Sequence, residues 1–223
     1  MNERSFILCS MTQNPTQPPA IDRRAAIMAA ALELFARRGF EGTSVDVIVK
    51  RAGVAAGTVY RYFASKEALV NELFQHWERA RVEAIFFDYP WRADPRGQFR
   101  LYWQRLATFA RQNPSAYVFL EMHWHTPYLD EASRDLRDQC IARGDETLGS
   151  MREKGAVKDI EPHLIMSLVS GVFNGLFQDS LNGFIELSDS IVATAEDCCW
   201  DAIKRSDWME SPSARDKERR GQG

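Results

Sequence analysis

Thr58 and Arg61 stand three residues apart in a segment that opens on Ala55, Ala56 and Gly57. Read as a helix over 55–62, this segment turns Val59 and the following Phe63, four apart, to one side. Ala55, Ala56, Thr58 and Arg61 then share the other side. Small residues at the start of a helix let its backbone come close to base edges in a major groove. A threonine hydroxyl can donate to a phosphate oxygen, and its methyl can touch a thymine methyl. An arginine can grip the two acceptors of a guanine or bind a phosphate. Both readings of Arg61 stand at this level.

The elements that would hold this surface are legible upstream. Val45, Ile48, Val49 and Ala52 form the inner face of a helix over about 44–51. Thr43 is placed to cap it, with Asp46 three positions on as a partner of the capping-box kind. Gly53 ends it and can take the left-handed conformation a tight inter-helix turn demands. An earlier helix, about 22–38, carries Ile27, Ala30, Ala31, Leu34 and Phe35 on one stripe. Asp22 suits its start and Gly39 its end. Ser65 is placed to cap a fourth helix, with Glu67 in its positive first turn. Charge follows the same division. Residues 20–67 hold eight basic and five acidic side chains, net +3, on a chain of net −3. A basic amino-terminal module on an acidic body suits a protein that meets phosphates with one module only.

The segments Ala31-Leu32-Glu33-Leu34-Phe35-Ala36-Arg37-Arg38-Gly39-Phe40-Glu41-Gly42-Thr43-Ser44, Ile48-Val49-Lys50-Arg51-Ala52-Gly53-Val54 and Gly57-Thr58-Val59-Tyr60-Arg61-Tyr62-Phe63-Ala64-Ser65-Lys66-Glu67-Ala68-Leu69 resemble the TetR (tetracycline-repressor-type) family of bacterial regulators. The resemblance covers roughly the first third of the chain. It implies a helix-turn-helix that binds double-stranded DNA, with Thr43, Ser44, Ala55, Ala56, Gly57, Thr58, Tyr60, Arg61, Tyr62 and Lys66 as the contacting set. Within it, Thr43 and Lys66 are implied to reach phosphates, each beside a helix N-terminus. Tyr60 is implied to reach a phosphate, while Tyr62 matches an aromatic more often packed. One departure matters: many members carry a polar pair before the glycine, and here the pair is Ala55-Ala56. Alanine offers no hydrogen bond, so base discrimination is expected to fall on Arg61, Thr58 or DNA shape.

Downstream the pattern stays helical, with no period-2 strand and no internal repeat. Helices are expected near 66–87, 95–111, 115–124, 130–153, 161–181 and 188–206, with prolines 95, 114 and 162 at helix starts. The expected architecture is all-α, about nine helices in two modules. The expected division is a disordered tail at 1–20, a helix-turn-helix domain at 21–67, a helical ligand-binding and dimerisation domain at 68–208, and a disordered tail at 209–223.

Fourteen of the 25 aromatic residues fall between positions 74 and 128. Most of them suit a packed core, and as a set they also suit the wall of an apolar pocket. The family resemblance implies such a pocket for a small-molecule effector. Tyr102, Trp103, Phe119, Met122, His123 and Trp124 are its candidates. His123 and His125 lie about 200° apart on a helix and cannot share a metal there. No metal and no cofactor are expected. No nucleophile elbow, phosphate loop or dinucleotide fingerprint occurs, so no motif supports an enzyme.

The last two helices read as an interface. Leu164, Leu168 and Val172 repeat every four residues beside Gly171 and Gly175, and Ile191, Ala195 and Cys199 extend the surface. A bundle made by two copies would cover it. A single short recognition helix also reads few bases, so a two-fold operator needs a homodimer. Asn174, Gln178 and Asp179 argue against a membrane span. Cysteines without a CxxC pairing suit reduced thiols in the cytoplasm. These expectations describe a ligand-released repressor. The alternative is a small-molecule-binding helical protein with a vestigial DNA-binding module.

Overall fold

A computed structural model describes residues 22–122 and 126–208. The expected tails, and His123 and Trp124, lie outside the described residues. The described residues form nine α-helices, with no strand among them.

The first four helices build the amino-terminal module. α1 (Arg23–Arg38) starts where the Asp22 carboxylate accepts from the Arg24 and Ala25 amides at 3.0 and 3.2 Å. α2 (Val45–Ala52) ends on Gly53, whose φ of 66° and ψ of 31° are left-handed. The Gly53 amide donates to Lys50 O and the Val54 amide to Val49 O, a Schellman closure. That closure draws the chain back over α2, and residues 55–57 are spent turning out of it. α3 therefore spans only Thr58–Tyr62, which shortens the helix expected over 55–62. Ala55, Ala56 and Gly57 lie in the turn before it, held by the Thr58 amide on Ala55 O at 2.8 Å. α4 (Lys66–Phe86) begins at Ser65, whose hydroxyl accepts from the Ala68 amide. It runs unbroken through the expected boundary at 67/68.

The larger module continues with α5 (Pro95–Gln112), α6 (Pro114–Glu121), a 3₁₀ turn at Thr126–Tyr128, α7 (Glu131–Glu153), α8 (Pro162–Leu181) and α9 (Asp189–Ile203). α6 ends at Glu121, short of the expected 124. α9 ends at Ile203, short of the expected 206. There the chain turns onto the strip after α7: Lys204 forms an antiparallel bridge with Val157, and the Arg205 amide donates to Ala156 O.

Two apolar cores result. One gathers Ile27, Leu34, Phe35, Ile48, Val59, Phe63 and Leu73 from α1 to α4. The other is centred on α5, where Trp103 is fully buried and donates from Nε1 to Val192 O at 3.0 Å. Arg96 of α5 is buried against Glu196 of α9 in a two-bond pair, with Asp197 as a second acceptor. A buried guanidinium needs this compensation, because desolvating an unpaired charge costs several kcal/mol.

The cores are not separate. Phe119 of α6 belongs to the amino-terminal one, 6.3 Å from the ring of Phe35. Buried Asn71 of α4 donates to Tyr128 O and accepts from the Asp130 amide, both at 2.8 Å.

Candidate nucleic-acid interface and effector cavity

The outer surface of the helix-turn-helix carries Ser44, Ala55, Ala56, Gly57, Tyr60, Arg61 and Tyr62, all exposed. Tyr60 is 59% exposed and Tyr62 43%, too much for a pair of phenols with only a packing role. Tyr62, placed in the contacting set although the matching family aromatic is more often packed, is exposed next to Tyr60 and Arg61. Exposed aromatic and guanidinium groups around a bare turn can donate to phosphate oxygens while the turn itself approaches base edges.

Three members of the expected set are placed otherwise. Thr43 is 1% exposed, and its hydroxyl donates inward to Gly39 O at 2.9 Å and Leu34 O at 3.3 Å. It therefore neither faces outward nor caps α2. That position belongs to Ser44, whose side chain makes no cap bond. Thr58 is buried as well. Lys66 is half-buried. Its ammonium donates to Phe40 O at 3.0 Å and Thr43 O at 3.2 Å and sits 3.9 Å over the Phe40 ring. Two of its three donors are committed inside the protein. Thr43 and Lys66 thus fasten the α1–α2 connection to the start of α4.

A cavity of about 650 Å³ opens in the larger module between α4, α5, α6, α7 and α8. This is the size range of small-molecule sites. Its apolar wall includes Phe74, Phe86, Tyr102, Leu106, Tyr117 and Leu120. Of the expected ligand residues, Tyr102 lines it. Burial pushes the Tyr102 phenol up to about 12, so it stays a neutral donor. Trp103 and Phe119 do not line it, because both are sealed in the two cores. Met122 is half-buried and packs against the larger core outside the cavity wall.

The cavity also holds a charged group that sequence reading missed. Arg81 of α4 donates from Nε and Nη2 to the buried carboxylate of Glu78, at 3.1 and 2.5 Å. Its Nη1 lies 3.7 Å from Glu121 of α6. The available signal was a Glu and an Arg three apart, flanked by Phe74, Trp77, Val82, Ile85 and Phe86. Tyr117, which also lines the cavity, donates its hydroxyl to Asn174 of α8 at 2.5 Å.

The expected dimer surface divides in two. Leu164, Leu168, Gly171, Val172, Gly175 and Ile191 are exposed. Leu181, the last residue of α8, and Phe184 beyond it are exposed apolar residues too, Phe184 at 76%. Ala195 is half-buried against the larger core, and Cys199 is buried within it. Cys199 is therefore corrected from interface to core, and Cys198 is the exposed neighbour. α8 is long and apolar enough to cross a membrane by length and composition. Its inner side nevertheless packs on this helical domain and carries the Asn174 contact.

Sequence models of two families match consecutive parts of the chain. "Bacterial regulatory proteins, tetR family" matches residues 27–73, and "Tetracyclin repressor-like, C-terminal domain" matches residues 74–205. The chain belongs to the TetR family. As a TetR-family transcriptional regulator it binds DNA, and the amino-terminal match covers the helix-turn-helix described above. Among relatives, it is 30% identical to the HTH-type transcriptional regulator EthR of Mycolicibacterium smegmatis over 177 residues, 74% of this chain and 79% of that one. It is 41% identical to the HTH-type transcriptional repressor KstR2 of Mycobacterium tuberculosis over 66 residues, 28% of this chain and 33% of that one. A crystal structure of a TetR-family regulator from Marinobacter aquaeolei shares the fold, with a TM-score of 0.71 at 24% identity over 82% of this chain and 95% of that one.

Proposed function

We propose that this TetR-family regulator is a cytoplasmic repressor that binds a near-palindromic operator as a homodimer and leaves it when a small molecule fills the cavity. In this reading residues 21–67 form the DNA-binding module and residues 68–208 the effector and dimerisation module. The exposed stripe of α8 and α9 is the dimer contact, and Ser44, Ala55–Gly57, Tyr60, Arg61 and Tyr62 meet the DNA. The repressor named among the relatives agrees with the sign of regulation proposed here.

The observation that carries the reading is the position of α6. Tyr117, Leu120 and Glu121 face the cavity, while Phe119 on the same two turns is packed into the DNA-binding module against Phe35. An eight-residue helix cannot shift one face without the other. A ligand that moves Tyr117 or Glu121 therefore moves Phe119, and with it α1. The effector releases DNA only to the extent that it binds the shifted form more tightly.

The test is an equilibrium titration of the full chain with its own upstream DNA at two salt concentrations, with sedimentation of the complex. A salt-dependent complex of two chains per operator is expected. Binding of a single chain, or no preference for the upstream DNA over random duplex, would sink the reading.

A further inference from the structure

Glu78, Arg81 and Glu121 meet on the inner wall of the cavity, two carboxylates against one guanidinium. The sharing is unequal. Glu78 takes the fork of Arg81. Glu121 has only the distant Nη1, at 3.7 Å, and among the described residues no donor within hydrogen-bond distance. About a quarter of its side-chain surface, 27%, is open, and what it opens onto is the cavity. Burial pushes its carboxyl above the ordinary carboxylate range, the Arg81 charge notwithstanding. A half-buried carboxylate without a donor from the protein gains from a ligand that supplies one.

The surroundings narrow the choice of donor. Phe74, Tyr102 and Tyr117 present aromatic surface around the same space, while Arg143 already lies over the Phe86 ring at 5.8 Å. Aromatic faces attract cations. We propose that the cavity takes an organic ammonium ion with an apolar body, its nitrogen seated against Glu121. This rests on reading the cavity as the effector site. A carboxylate ligand would meet an inner wall with one negative charge in excess and an arginine already committed. A neutral ligand would leave the charge of Glu121 uncompensated. The arginines at the mouth do not reverse this. Arg79 and Arg143 are exposed, and Arg137 is paired with Asp138. Their attraction for anions is that of solvated charges.

The experiment compares three probes with one body, decylamine, 1-decanol and decanoate, by calorimetric titration of the full chain and of Glu121→Gln. Glutamine keeps the shape of the side chain, and circular dichroism reports its fold. Decylamine is expected to bind the natural chain at least about tenfold more tightly than either other probe, a difference of about 1.4 kcal/mol. In Glu121→Gln that advantage over 1-decanol is expected to vanish. Decanoate binding most tightly would overturn the ammonium class and leave the cavity as effector site standing. Equal affinity for all three, or an advantage that survives in Glu121→Gln, would overturn it too. Failure of all three to bind would overturn the cavity reading along with it.

Discussion

The ammonium of Lys66 lies 3.9 Å above the ring of Phe40 and donates to the carbonyls of Phe40 and Thr43. The other side of that ring stacks on Tyr128 at 4.1 Å. One lysine thus joins the loop after α1, the first residue of α4 and, through Phe40, the 3₁₀ turn before α7. Its work is in the free protein before any DNA arrives.

This predicts that Lys66→Ala destabilises the unliganded chain. Each of two carbonyls loses one donor, Phe40 O keeping the Thr43 amide, and the ring loses its cation, which should cost about 1–3 kcal/mol in urea unfolding. A lysine serving only as a phosphate contact would leave that midpoint unchanged and would alter only the salt dependence of DNA binding.

Arg61 should behave in the opposite way. It is exposed on α3, so Arg61→Ala is expected to leave unfolding within about 0.5 kcal/mol of the natural chain. Loss of a base contact should cost about 1–3 kcal/mol on operator DNA and little on random duplex. Equal losses on both would reassign Arg61 to the phosphate backbone.

Gly57 offers a cleaner probe of the turn. A Cβ built there meets nothing within 4 Å, and the residue has an ordinary φ of −73°. Gly57→Ala should therefore fold with unchanged stability. Weaker operator binding in a mobility-shift titration would then come from contact between that methyl and DNA. Unchanged binding would remove Gly57 from the interface.

Leu168 tests the association surface. It is half exposed in the middle of the α8 stripe between Leu164 and Val172. Burying such side chains in a dimer is worth about 1.5–3 kcal/mol each, and a carboxylate there would be desolvated instead. Leu168→Glu is expected to sediment as a folded monomer at micromolar concentration and to lose operator binding. Retention of the dimer would place the interface elsewhere.

Glu121 should leave a mark on stability against pH. Burial raises its folded-state pKa above the ordinary value of 4.5. The folded protein then holds this proton more tightly than the unfolded chain does. Its contribution is fullest below that ordinary value and declines as pH rises through the raised one. Glu121→Gln removes the decline, so the variant should gain stability relative to the natural chain as pH rises above 4.5. An identical pH profile for both in urea unfolding would show that the carboxylate is not desolvated in solution.

The amino-acid sequence by itself determined the helices, the turn at Gly53 and the family. Those follow from local chemistry: apolar residues at helical spacing, Asp22 and Ser65 capping their own next turns, a glycine where φ must be positive. It also marked the outward stripe of α8, because an apolar face repeats along one helix whatever covers it. Which neighbour covers a face is another matter. Phe119 and Trp103 read alike as aromatic wall residues, yet each is sealed in a different core. Thr43 reads as an outward cap, and its hydroxyl turns inward because carbonyls of Gly39 and Leu34 arrive there only when α1 folds over it. The pairing of Arg96 with Glu196 spans 100 residues, and the uneven sharing of Arg81 between Glu78 and Glu121 joins α4 to α6. Periodicity states which side of a helix avoids water. Only packing decides what it meets, and so which polar groups are left waiting for a partner.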